Sequence, residues 1–268
     1  MRGRLSVEFV YQLFALLIAI IFVHAAYVGV IRPQARAHDA VQQAQLAENP
    51  DHIPERSVWV IIRDYEQEVC FILMLWAMAL LALKAAGVNR ERRLLETDLL
   101  PLGAGESILP QDTREYARSL EALEQPQRTY LYPRALLAAL HRFRSTGNIQ
   151  DVSDAVGSVC EAENDRLDSE MSMVRYIAWA IPSIGFIGTV RGIGEALGLA
   201  QQAVDGDISG VTAALGLAFN STFVALVLSI ILMFLLHQLQ LMQERLVLDT
   251  HDACDRRLLQ NLQAPHEH

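Results

Sequence analysis

The sequence predicts an all-α integral membrane protein, with four transmembrane helices and long helices extending into the cytoplasm. Three observations predict it. The 268 residues are 52% hydrophobic and only 20% charged, more apolar mass than one soluble core can use. That apolar mass is gathered into long blocks with few or no charges, the pattern of segments that cross a bilayer. Lysine and arginine fall mainly in every second connection between those blocks. The balance of 22 basic and 31 acidic side chains leaves a net charge of −9, and the scattered arginines form no basic stripe, which excludes nucleic acid as a partner. Cys70, Cys160 and Cys254 are far apart and odd in number, so neither a disulfide framework nor a metal knuckle is expected, and the thiols should be reduced.

The first segment, 1–31, carries span one: Phe9 to Ile31 holds 23 positions without a formal charge, enough at about 1.5 Å per residue to cross about 30 Å of hydrocarbon. It is too long for a signal peptide and lacks a clean small-x-small cleavage site, so it reads as retained. An outer loop follows at 32–68, opening with the polar stretch QARAHDAVQQAQLAENP and continuing through the short apolar piece Val58 to Ile62 into RDYEQE. A small helix with an interfacial segment suits it. Span two is 69–88, interrupted only by Lys84, whose long stem can snorkel to an interface. The region 89–172 is a cytoplasmic helical region. It begins with NRERRLLETD, breaks at LLPLGAGESILPQD, and resumes helical patterning at Thr113 to Leu123 and Arg134 to Arg144. One long helix is expected from Ile149 through Ala180. Residues 173–240 hold spans three and four: span three runs from about Tyr176 to Ala200, and Ile208 to Leu236 is uncharged over 29 residues. The segment 241–268 is a cytoplasmic C-terminal helix continuing span four.

Cytoplasmic connections retain positive charge. With the N-terminus inside, Met1 to Glu8 carries two Lys or Arg, Lys84 to Ser172 eleven and the tail after Leu236 three, sixteen in all, against Arg32, Arg36, Arg56 and Arg63 outside. The sequence therefore predicts a multi-pass protein with both termini inside.

The most informative stretch is span three, AIPSIGFIGTVRGIGEALGLA. Gly185, Gly188, Gly192, Gly194 and Gly198 let other helices approach, and Gly188 to Gly192 has GxxxG spacing. At 100° per residue Pro182, Gly185, Thr189, Gly192 and Ala196 share one narrow face with a single hydroxyl. In span four Leu215, Ala218, Phe219, Thr222, Ala225 and Ser229 make a comparable stripe, with Asn220 and Ser221 beside it. One membrane threonine usually bonds its own i−4 carbonyl, whereas two on small-residue stripes suit a constricted polar path. Arg191 and Glu195 stand four apart near the outer end of span three, as an ion pair or as a contact to a partner.

The run IPSIGFIGTVRGI, Ile181 to Ile193, resembles the Pro-x-x-Gly-x-x-Gly-Thr-Val-x-Gly-Ile core of the MotA/TolQ/ExbB proton-channel family. The run AFNSTFVALVLS, Ala218 to Ser229, resembles that family's last helix. The resemblance covers about 155–262. It implies a pentameric ring in a bacterial inner (cytoplasmic) membrane around a dimer of a single-span partner of the ExbD/TolR/MotB kind, whose aspartate carries a proton or sodium ion to drive rotation or force transmission to the envelope. It places the pore-lining threonines on Thr189 and Thr222, with Ser221 and Asn220 beside the ion path, and assigns helix packing and partner contact to Pro182, Gly185, Gly188, Gly192, Arg191 and Glu195. The glutamate that some members carry five positions before the last-helix threonine is here Leu217, so the ion-binding carboxylate is expected from the partner.

Other classes fit less well. His24 and His237 are the only histidines placed for a membrane haem and lie at different depths, so one iron cannot take both. No nucleophile elbow, P-loop or HExxH motif is present, so neither an enzyme active site nor a cofactor or metal is expected. A non-conducting membrane scaffold of an envelope complex is the alternative reading.

Overall fold

A computed structural model describes residues 7–49, 57–100 and 107–263. Arg2, Arg4 and Arg56 of the charge count, and the middle of the LLPLGAGESILPQD break, lie outside the described residues. The described chain is helical, its one strand-like pairing being a bridge between Ile108 and Leu262. Four helices are long and apolar enough to cross a membrane.

Helix α1 (Val7–Ala26) passes through a π-helical turn, Tyr27–Ile31, into α2 (Arg32–Glu48) without a break. The sequence reading placed the end of the first helix at Ile31, before Arg32 and Pro33. The π turn carries the chain across: the Arg32 N–H bonds the Tyr27 carbonyl, so Pro33, which has no N–H to give, falls at the start of α2 where none is required. The short α3 (Val58–Ile61) precedes α4 (Tyr65–Leu95). The cytoplasmic patterning resolves into α5 (Thr113–Glu121), α6 (Leu131–Thr146) and α7 (Ile149–Glu170). Only Met171, itself in the right-handed helical conformation, separates α7 from α8 (Ser172–Gly198), and 149–198 runs as one 50-residue helical stretch interrupted there by a single turn residue. After α9 (Ala200–Val204), α10 runs from Ser209 to Arg257.

The chain forms two compact units. The first comprises residues up to Ala82 and Met173–Leu236. Its interior is built from Ala19, Val23 and Tyr27 of α1 and the π turn, Cys70, Met74 and Ala77 of α4, and small residues of α8 and α10. Its outside is apolar too: Phe14, Ile21 and Phe22, Trp179 and Phe186, Phe223 and Ile230 are all exposed, as suits helices whose solvent is lipid or another membrane helix.

The second unit comprises Leu83–Ser172 and the chain from His237. Here α6 lies against α7 and α5, burying Leu136, Leu140 and Phe143 with Val152 and Val156. Gly147, in the left-handed conformation at φ 66°, ends α6. Asn148 then starts α7 by accepting a bond from the Gln150 N–H at 2.8 Å. Buried Glu163 takes Arg134 at 2.8 Å and also Arg166, and Lys84 pairs with Glu170 at 2.7 Å.

Candidate functional site

Helices α8 and α10 meet along a seam set by glycine. A Cβ at Gly185 would lie 2.4 Å from the Ala225 Cβ, one at Gly188 2.6 Å from the Ser221 Cβ, and one at Gly192 2.7 Å from the Ala214 carbonyl oxygen. Real side chains do not tolerate such distances, so only glycine permits this approach. Gly194 and Gly198 face open space and take no part in it.

Backbone carbonyls exposed along the seam are bonded across it. Pro182 lacks the N–H that would have bonded the Ala178 carbonyl four residues back, and the Ser229 hydroxyl supplies the missing bond at 3.1 Å. Thr222 donates to the Gly185 carbonyl at 3.1 Å and Thr189 to the Ala218 carbonyl at 3.1 Å. The two threonine hydroxyls also touch each other. Two hydroxyl protons thus serve two carbonyls and a shared contact, so the pair can exchange which oxygen accepts without either side chain leaving its place. Ser221, buried, donates to the Leu217 carbonyl at 3.0 Å, and Gln67 of α4 approaches its hydroxyl at 3.4 Å. Asn220 is half-buried on the opposite side of α10 from Thr222 and stands apart from the seam's hydrogen bonds.

The sequence reading paired Arg191 with Glu195, and the structure gives Arg191 a stronger partner. Glu66, in the first turn of α4, takes Arg191 with both oxygens, at 2.7 Å from Nε and 2.9 Å from Nη2. Glu195 lies 3.6 Å from Nη1. A bidentate fork is the tighter of the two arrangements, so Arg191 links α8 to α4 first and to its own helix second. Thr189 lies only two residues from that ion pair. Next to Glu66, Gln67 is fully buried and spans Ile61 and Ser221. Glu68 is 5% exposed and binds His24 of α1 at 2.7 Å and Arg32 of α2.

Sequence reasoning missed this acidic turn. RDYEQE was read as loop, Arg32 only as an outside charge, and His24 only as a haem candidate. The available signal was two carboxylates, two positions apart, leading directly into an apolar helix. Among the described residues no three His, Cys, Asp or Glu side chains are arranged to hold a metal ion.

Residues 128–251 match the sequence model of the MotA/TolQ/ExbB proton channel family, a span that contains the whole α8–α10 seam. No curated protein and no solved structure matches the chain significantly. The glycine-lined seam, the threonine pair on it and most of the last two apolar helices lie in the matched region, and the first two apolar helices precede it. Through residues 128–251, this multi-pass membrane chain matches the MotA/TolQ/ExbB proton channel family.

Proposed function

We propose that this chain is the ring-forming subunit of an ion-motive-force-driven motor, a homopentamer in a bacterial inner membrane with both termini inside. It would work with a dimer of a single-span, aspartate-bearing partner to drive rotation or force transmission to the envelope. Its own contribution is conduction and not catalysis. The observation that carries this reading is the Thr189–Thr222 contact. An ion passing an apolar ring needs oxygen ligands or relay groups where the path narrows, and a hydroxyl can donate and accept without bearing a buried charge. The pair sits on the glycine seam between α8 and α10. Span four offers Leu217 and no carboxylate, so the ion carrier there is the partner's.

Within one chain both hydroxyls already reach backbone carbonyls, and this observation favours a second reading, a non-conducting scaffold in which the threonines only lock two helices. Thr189→Val and Thr222→Val separate the two. Each keeps the side-chain shape and deletes the hydroxyl. On the motor reading both variants still assemble, and partner-dependent ion flux in proteoliposomes falls at least about tenfold, the rate equivalent of about 1.4 kcal/mol. Full flux from both assembled variants would make the threonines packing residues and send the conducting path elsewhere.

A further inference from the structure

We propose that the short helix α3 rests in the lipid headgroup layer on the α2 side of the membrane, with Val58 and Trp59 as its contacts to lipid. The run Val58 to Ile62 holds five apolar residues in succession, yet no residue of α3 is buried. Val58 is 67% exposed and Trp59 40%. An apolar turn with no core of its own needs cover from outside the chain. The inference needs neither the ring nor the ion path of the motor reading.

Three contacts fix the height of α3. Buried Glu68 takes Arg32, so the last apolar residue of span one, Ile31, and the first of span two, Val69, stand at the same level, and the hydrocarbon edge lies there. Tyr65 is one turn further out on the same face of α4 as Val69, about 6 Å along the axis, and both side chains are exposed. The headgroup layer beyond that edge is about 5–7 Å thick, so Tyr65 lies within it. The chain before Tyr65 is folded back toward the same edge. Fully buried Gln67 donates its amide to the Ile61 carbonyl at 3.1 Å and accepts the Asp64 N–H at 2.8 Å. A carbonyl within reach of that one side chain brings the end of α3 down to the headgroup layer. Arg63 pairs with Asp39 and pins the turn to α2, against which α3 lies. The exposure of Val58 and Trp59 therefore belongs to a held turn.

The chemistry of the turn fits lipid better than another helix. Where α8 and α10 meet closely, glycine permits it. Helix α3 offers a single turn, Val-Trp-Val-Ile, with no small residue, too short for the ridges and grooves that seat one helix on another. A tryptophan at a bilayer surface turns its apolar body toward the acyl chains and its N–H toward headgroup oxygens. Tyr65 adds a second aromatic ring at this level, with the Arg32 guanidinium over it, 4.4 Å from the ring centre. Gln67 also approaches the Ser221 hydroxyl of α10 at 3.4 Å, so the seat of α3 bears on α10 through one buried amide.

The test is electron paramagnetic resonance of the full chain, without any partner protein, in nanodiscs of phosphatidylethanolamine and phosphatidylglycerol. A nitroxide is attached at Val58→Cys, with Gln45→Cys on α2 as the reference for water and Phe14→Cys on α1 as the reference for hydrocarbon; both reference positions are exposed. The three native thiols are buried and stay unlabelled. Collisions with apolar oxygen and with a polar nickel chelate report the depth of the label. The oxygen-to-nickel ratio at Val58→Cys is expected to lie between the two references, several-fold above that at Gln45→Cys, and adding Trp59→Ser should lower it toward the water value. Should Val58→Cys disturb the turn, the emission of Trp59 in a Trp76→Phe, Trp179→Phe chain answers instead: quenching by lipids brominated near the headgroup is expected to exceed quenching by aqueous acrylamide. A ratio equal to that at Gln45→Cys would put α3 in water, and low collision rates with both reagents would put it beneath a second copy of the chain. Either result overturns the proposal, as does a ratio that Trp59→Ser leaves unchanged or acrylamide quenching stronger than that of the brominated lipid.

Discussion

At position 185 the difference between a hydrogen and a methyl group decides whether α8 can lie against α10, since an added Cβ would come 2.4 Å from that of Ala225. Gly185→Ala should therefore destabilise the full chain by about 1–3 kcal/mol. Adding Ala225→Gly should restore most of the loss, read from thermal unfolding in detergent; a double variant no better than the single would show that the two positions do not meet. The cysteines give a second test. All three are free and buried. Burial pushes the Cys160 thiol up to about 11 and raises that of Cys254 as well, so at about pH 8 only about a thousandth of Cys160 is thiolate, the reactive form. A maleimide should leave both unmodified in the native chain and label both after unfolding. The seam glycines were legible because their spacing is local. The partner of Arg191 was not, because Glu66 lies 125 positions away in the chain and nothing in the periodicity of either helix links them.

Helix α8 keeps Pro182 in its interior because α10 supplies what the proline removes. Ser229→Ala should cost about 1–2 kcal/mol by stranding the Ala178 carbonyl. In a Pro182→Ala background the same change should cost little, because residue 182 then has an N–H for that carbonyl. Unfolding free energies of the four proteins close the cycle, and equal costs in both backgrounds would show that the serine bond is not the proline's substitute. Helices α6 and α7 were readable from their helical patterning, whereas the Gly147 stop and Asn148 start between them came from the structure. The continuity of α1 with α2 was not, because Arg32 and Pro33 resemble a helix end unless a π turn shifts the hydrogen-bond register between them. The single turn residue at Met171 was equally hidden, since no proline or glycine marks it.

For the whole molecule, the family and the number of spans were legible because long apolar runs and the Ile181–Ile193 motif survive as linear patterns. The orientation remains a matter of charge counting. Gln45, Asp205, Ser119 and Gln260 are all exposed. In a cysteine-free background, single cysteines at Gln45 and Asp205 should react with an impermeant reagent from outside intact cells, and those at Ser119 and Gln260 only after permeabilisation. Reaction at Ser119 in intact cells would reverse the topology. The acidic first turn of α4 also imposes an order in time. When α4 leaves the ribosome, α1 and α2 already exist, so Glu68 meets His24 and Arg32 on arrival. Glu66 has no such welcome: Arg191 is synthesised more than a hundred residues later. Until then a carboxylate waits at the edge of the bilayer without its cation, while Glu68 and the Trp76 and Tyr11 hydrogen bonds already tie α4 to the first helix.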